Sequence, residues 1–444
     1  MSLTRESILQ RLEGLAELAG APGRYVVAFS GGLDSSVLLH VLAETREQHG
    51  RQLLAVHINH QLHDEAAAWS EQCAEFCASL GIEFRGISVD VDLDSGQGTE
   101  AAARTARYGA LSDVIAAGDW LLSAHHRDDQ AETLLLNLMR GSGPAGLAAI
   151  GEVQPFASGW LVRPLLPVAR RDLEAYAKAN SLNWIDDPSN EDRAFDRNFL
   201  RHDVLPLLES RWPGAAGRIG QSARLSGEAA LLLDQFADAD LQRLGDRPDR
   251  LRLEGLRELA PDRQRNVLRY VVRELGLPAP PASCLASVVS DLIPARDDAQ
   301  PVVEWPGARV RRYRGSVYLL PASPQTVPGR HLEFTDGRVD LGAGLGQLRL
   351  TEAVPEGLSG AVVSAGLDVR FRSGGEKIKP LNQEITKTLK NLLQEEGVVP
   401  WMRDRLPLVY SGDHLVAVAD LWIAADAASC PGTGIAWKNR PPLH

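Results

Sequence analysis

The amino-acid sequence predicts an α/β protein. A doubly wound, Rossmann-like parallel sheet occupies the N-terminal part, a mainly helical domain follows, and a small α+β domain ends the chain. Three observations carry this. Short apolar runs alternate with helical segments at βαβ spacing through residue 180. The first of those runs passes directly into a Gly31-Gly32 turn and a helix. Histidines and acidic residues gather where the runs end, the side on which such sheets bind ligands.

Residues 1–20 form a helix with Ile8, Leu9, Leu12, Leu15 and Leu18 on one side. Tyr25 to Phe29 is a buried strand, rich in β-branched residues, and the helix after it runs through Val37 and Leu42. Leu53 to Ile58 is a second strand, followed by His60-Gln61-Leu62-His63 and a helix over 66–80. Ile82 to Val89 is a third strand. A loop, Asp94-Ser95-Gly96-Gln97-Gly98, then leads to a helix carrying Glu100, Arg104, Arg107 and Tyr108. Trp120 to Ala124 is a fourth strand, with a helix over 128–139 behind it, and Leu161 to Leu166 is the last. A helix over 170–180 leads to the polar turn Trp184-Ile185-Asp186-Asp187-Pro188-Ser189-Asn190, then to Arg193, Arg197, Asn198 and Arg201. Arg211-Trp212-Pro213-Gly214 reads as a boundary. This places domains at 1–213, 214–325 and 330–444, with a linker over 321–328. The middle domain carries a basic helix (Arg263, Arg265, Arg269, Arg273) and a hairpin over 302–320, where Arg309, Arg311, Arg312 and Arg314 surround Tyr313. Lys377, Lys379, Lys387, Lys390, Arg403 and Arg405 give the last domain a basic side.

Composition limits the function classes. The hydrophobic fraction is 44% and the charged fraction 24%, the balance of a soluble globular protein. No apolar run has the length of a membrane span, and the polar N-terminus does not resemble a signal peptide. Fifty-eight acidic residues against 47 Lys and Arg give a net charge of −11, which excludes a non-specific nucleic-acid binder but not local basic faces. The cysteines are Cys73, Cys77, Cys284 and Cys430, with no C-x-x-C pair, so neither a zinc ribbon nor a Cys-ligated cluster is supported. Reduced thiols fit a cytoplasmic protein.

The chemistry concentrates in two stretches. Ser30-Gly31-Gly32-Leu33-Asp34-Ser35 joins a strand to a helix N-terminus, where amide groups and the helix dipole favour an anion. It lacks the Lys of G-x-x-x-x-G-K-[ST] and the spacing of G-x-G-x-x-G. Asp34 in an anion loop makes sense where a metal ion bridges it to phosphate. The second stretch, His125-His126-Arg127-Asp128-Asp129-Gln130-Ala131-Glu132-Thr133, puts Asp129 and Glu132 three residues apart on one helix face. Oxygen-ligated Mg2+ on a triphosphate suits it better than zinc. His57, His60 and His63 could also be read as a metal site, or as a corner beside a base.

Ser30 to Ser35 resembles the SGGxDS pyrophosphate loop of the N-type ATP pyrophosphatases, or PP-loop superfamily. Together with the His125–Thr133 block, the Asp187–Asn190 turn with Arg197, Asn198 and Arg201, and the terminal Pro400–Leu408 and Val416–Ala419 stretches, the chain resembles the tRNA(Ile)-lysidine synthetase family. The resemblance implies an ATP-dependent ligase that cleaves ATP between its α- and β-phosphates. It adenylates the wobble cytidine of a tRNA(Ile) with a CAU anticodon at C2. Free L-lysine then replaces AMP. Under it, Ser30, Gly31, Gly32, Leu33, Asp34 and Ser35 bind ATP, and Asp34 and Asp129 position Mg2+. Asp129 and Glu132 bind or deprotonate lysine, and Arg107 and Arg201 face the phosphate or the cytidine. Lys387 and Arg403 contact tRNA. A homodimer is one assembly the sequence leaves open. Two other readings stay open: a PP-loop tRNA thiolase and a non-catalytic ATP-binding regulator.

Overall fold

The computed structural model describes residues 3–61, 65–92, 98–245, 247–296, 299–322, 331–342 and 344–443. His63, residues 94–97 and most of the expected linker fall outside them, as do the side chains of Glu100, Ser189 and Asn190. The chain forms two compact units that meet in sequence between Gln235 and Phe236.

The first unit begins with helix α1 (Arg5–Ala19), whose N-cap is Thr4, and strand β1 (Tyr25–Ala28). Helices α2 (Leu33–Glu44) and α3 (Arg46–His49) precede strand β2 (Leu53–Asn59). Then come α4 (Ala66–Ser79), β3 (Glu83–Ser88), α5 (Thr99–Ser112), β4 (Trp120–Leu122) and α6 (Arg127–Met139). Short α7 (Pro144–Leu147) leads to β5 (Val153–Phe156), β6 (Gly159–Val162) and α8 (Arg170–Ala179). The sheet order is β3-β2-β1-β4-β6-β5. Val27 pairs with Ala55 on one side and Leu122 on the other, both parallel. Only β5 runs antiparallel, against β6.

Alternation along β1 explains why the sheet is doubly wound. Tyr25 and Val27 face one core with Ile8, Leu38, Leu42, Cys73, Cys77 and Leu173. Val26 faces the other, with Leu54, Val56, Leu111, Leu121 and Leu161. The chain moves outward from β1 to β3 and returns to β4 on the other side of β1. The order therefore reverses between β1 and β4, which opens a crevice at their carboxyl ends.

Two sequence expectations shift. The last parallel strand ends at Val162 rather than Leu166, because Arg163 donates its amide to Glu152 in a hairpin and Pro164 follows. The edge strand β5 is short and contains Pro155, a residue confined to edges, so it carries no strand signal of its own.

The second unit packs helices around a four-stranded antiparallel sheet, then adds two five-stranded antiparallel sheets. The expected hairpin over 302–320 is three strands, Val302–Trp305, Ala308–Tyr313 and Ser316–Pro321. Arg312 is buried and donates to the Ala295 carbonyl, and Tyr313 is buried with its hydroxyl 2.7 Å from Arg403. That part of the basic-aromatic cluster is therefore internal framework. The C-terminal helix spans Leu389–Glu395, capped by the Thr388 side chain, and buries Leu389, Leu392 and Leu393 against Val416 and Val418. Among the described residues no helix is long and apolar enough to cross a membrane.

Cys73 and Cys77 lie in the sheet core, and burial pushes both thiols up to about 12. At pH 8 roughly one in ten thousand would be thiolate. Exposed Cys430 is thus expected to react with iodoacetamide while Cys73 and Cys77 stay unmodified in the native protein. Peptide mass spectrometry reads the result, and alkylation of Cys73 at the pace of Cys430 would contradict the packing.

Candidate active site

The loops that leave β1 and β4 build the crevice. After β1 the chain turns at Gly31, which has φ +82°. A Cβ there would stand 2.6 Å from Ile185 Cδ1 and 2.7 Å from Cys73 Sγ, so glycine is required by both conformation and space. The Ile185 amide donates to the Gly31 carbonyl at 2.9 Å and fixes the turn from behind. The loop is also laced internally. Ser35 Oγ donates to the Gly32 carbonyl at 3.0 Å and lies 3.1 Å from Ser30 Oγ, and Ser36 Oγ donates to the Gly31 carbonyl at 3.2 Å. The hydroxyls of Ser30 and Ser35 thus hold the loop's shape. Helix α2 starts with Gly32 as N-cap and no capping side chain, which leaves its first amides and the positive end of its dipole for an anion.

Beyond β4, His126 is the N-cap of α6 and is fully buried. Its Nε2 lies 3.5 Å from Asp34 Oδ2 and 3.4 Å from Asp129 Oδ2, and its Nδ1 lies 3.7 Å from Asp128 Oδ2. Burial alone would lower its pKa, but Asp129, Asp128 and Asp34 overcome that and raise it to about 10. Protonated, the ring would turn both N–H groups toward these acids, but at the distances seen its Nε2 makes no hydrogen bond among the described residues. In that form the 3.2 Å approach of the Asp128 amide to Nδ1 is a contact, not a hydrogen bond.

Asp129 and Glu132 are the buried pair expected from their spacing. Arg197 Nε donates to Glu132 Oε2 at 2.7 Å, and its NH2 group donates to Asp129 Oδ1 at 2.7 Å. Arg201 Nε donates to Glu132 Oε1 at 2.7 Å, and its NH2 group reaches Asp129 Oδ1 at 3.1 Å and Glu132 Oε2 at 3.0 Å. Asp129 also accepts from the His126 amide at 2.9 Å. Burial would raise the Asp129 pKa, yet His126, Arg197 and His125 hold it at about 2. Arg170 completes the cluster, 3.7 Å from Asp34 Oδ2, with its amide 2.9 Å from Asp128 Oδ2.

The structure therefore brings Asp34, Asp129, Glu132 and Arg201 together beside the Ser30–Ser35 loop. Arg107 is elsewhere: on α5 its Nε meets His60 Nε2 at 3.3 Å, past the end of β2. His57 is held neutral, its pKa lowered by burial, with Nδ1 3.0 Å from the Phe29 carbonyl. Burial, Arg107 and His57 push His60 down to about 4. His57 and His60 each spend one ring nitrogen inside the protein, on the Phe29 carbonyl and on Arg107. Among the described residues no group of three or more His, Cys, Asp or Glu side chains forms a metal cluster. Mg2+ nevertheless suits Asp34, because its buried Oδ1 has no hydrogen-bond partner among the described residues. Mg2+ commonly uses one or two carboxylates and fills its shell with phosphate oxygens and water. Asp129 would reach it only by giving up one of its present partners. Sequence reasoning took Arg197 only as one of a set of arginines suited to phosphate or an acidic partner, placed His126 at a ligand-binding strand end without a role, and passed over Arg170. Arg197 and Arg201 are four apart, matching the three-residue spacing of Asp129 and Glu132, and that match was the available signal.

Residues 4–208 match the PP-loop domain family, 251–318 the TilS substrate binding domain and 367–437 the TilS substrate C-terminal domain. The tRNA(Ile)-lysidine synthase of Alkalilimnicola ehrlichii is 44% identical over 431 residues, 96% of each chain. The chain belongs to the tRNA(Ile)-lysidine synthase family. The synthases of Xanthomonas campestris pv. campestris and Coxiella burnetii are 41% and 40% identical, over 96% and 89% of this chain and 98% and 88% of theirs. Membership accounts for the composite architecture, since substrate-binding and C-terminal modules accompany the PP-loop domain, and it makes ATP a substrate of the chain.

Gly31→Ala is expected to weaken ATP binding at least about tenfold, a cost of about 1.4 kcal/mol or more, by forcing the loop off Ile185 and Cys73. Isothermal titration with ATP measures it, and wild-type affinity would contradict the loop assignment.

Proposed function

We propose that this member of the family joins free L-lysine to C2 of the wobble cytidine in a tRNA(Ile) with a CAU anticodon, consuming ATP. The observation that carries the reading is the glycine loop at an uncapped helix N-terminus. It faces carboxylates across the β1/β4 crevice, in a chain similar to these synthases over nearly its whole length. The α2 amides hold the departing pyrophosphate, whose developing charge they stabilise. The cytidine C2 oxygen attacks the α-phosphate and pyrophosphate leaves. The lysine side-chain amine then bonds to C2, the C2–oxygen bond to AMP breaks, and the amine sheds its proton. Mg2+ held by Asp34, with Asp129 as its second candidate, would supply positive charge for the phosphates.

Asp129 and Glu132 suit lysine binding better than lysine deprotonation. His126 and Arg197 hold Asp129 ionised against its burial, which makes it a poor acceptor for the proton of an ammonium. Arg201 touches the acid pair and feels the charge of Asp34 beside the loop, which suits it to the transferred phosphate. Arg107, on α5 and bonded to His60, would meet the cytidine or its RNA rather than the pair. Exposed Lys377, Lys379 and Lys390 of the last domain suit the RNA backbone. Lys387 is paired with Glu395 at 2.7 Å, and Arg403 is tied to Val398 and Tyr313. The cytoplasm, where tRNA and lysine meet, is the proposed compartment. The absence of a C-x-x-C pair, together with the burial of Cys73 and Cys77, disfavours the thiolase reading.

Labelled lysine, ATP and a CAU-anticodon tRNA(Ile) test this. Label is expected in the RNA, with one AMP released per lysine joined. Nucleotide binding without AMP release would favour a regulator, and sulfur entering the base in place of lysine would favour a thiolase.

A further inference from the structure

The acid pair is covered by its own chain. Glu132 is fully buried and Asp129 nearly so, while the arginines above keep 32% and 21% of their side-chain surface. Each guanidinium bridges both carboxylates, so two positive charges already stand where a substrate ammonium would be held. A pair neutralised in this way has little left to attract a further cation.

The segment carrying the arginines is lightly anchored. Arg197 lies in α9 (Asp196–Phe199), a four-residue helix, and Arg201 in the π-turn Leu200–Val204 that follows it. Such turns interrupt the regular hydrogen-bond ladder. Phe195 and Phe199, on either side of Arg197, are 49% and 50% exposed, and Leu200 is the buried residue between α9 and α10 (Leu205–Arg211). Elements with so few buried contacts open at low cost. Arg197 keeps more exposed side-chain surface than Arg201 and makes two bonds to the pair where Arg201 makes three.

We propose that Arg197 is a built-in occupant of the lysine ammonium site, which incoming lysine must displace from Asp129 and Glu132. The inference rests on the ligase reading above. Arg201 stays as the counter-charge, so the acids are never left buried and unpaired. Without substrate the pair is satisfied internally, and the apparent lysine affinity is reduced by the fraction of molecules in which Arg197 has let go.

The test uses the full chain with saturating ATP and tRNA, and measures the KM for lysine in Arg197→Ala and Arg197→Lys. Loss of the competing guanidinium is expected to lower the lysine KM roughly tenfold in the alanine variant. Methylguanidinium should compete with lysine in that variant and leave the wild type unaffected. If Arg197→Ala does not fold, Arg197→Lys decides. Its ammonium cannot bridge both acids as the guanidinium fork does, so its lysine KM should also fall, by less. An unchanged or raised lysine KM in the folded variant, with no competition by methylguanidinium, overturns the displacement. A wild type that joins no lysine to tRNA refutes the ligase reading itself, a separate result.

Discussion

A buried imidazolium ties the first unit's chemistry together. His126 has no exposed surface and contacts one carboxylate from the start of α2 and two from the start of α6. A buried charge costs several kcal/mol unless it is paired, so the ring and its three acids hold one another in place. Through them the loop after β1 and the helix after β4 are fixed across the point where the sheet reverses order. The surrounding charges balance: His126, Arg170, Arg197 and Arg201 against Asp34, Asp128, Asp129 and Glu132. A triphosphate entering this set would bring excess negative charge, which a metal cation beside Asp34 Oδ1 would offset.

The loop depends on packing as well as charge. Gly31 is pressed between Ile185 and Cys73, and Ile185 belongs to the stretch that reads in the sequence as a polar turn. That stretch is the back wall of the nucleotide loop. The arginines after it then reach over to Asp129 and Glu132. One continuous segment, from Ile185 to Arg201, thus runs behind the glycine loop and over the acid pair.

Much of this was legible in the sequence. The parallel strands showed because each is a short apolar run ended by glycine, histidine or a polar turn, and the acid pair showed through helical spacing. The edge strand β5 did not, because four residues with a central proline carry no periodicity. The partners of Arg197 and His126 did not show for a different reason. Arg197 meets its acids, and His126 meets Asp34, across tens of residues of chain, and pairing over that distance is set by the fold. The cluster around Tyr313 misled in the opposite direction. Basic residues beside an aromatic suit nucleic acid, yet Arg312 and Tyr313 are buried and Arg403 is spent on Tyr313 and a backbone carbonyl. Local composition cannot tell a solvated cation from one satisfied inside the fold.

In the proposed reaction this crevice activates the base before lysine takes part. Isotope exchange between labelled pyrophosphate and ATP, in the presence of the CAU-anticodon tRNA and the absence of lysine, measures that order of events. Exchange should require the tRNA and disappear in Asp34→Ala. No exchange until lysine is added, or exchange that persists in Asp34→Ala, would contradict it.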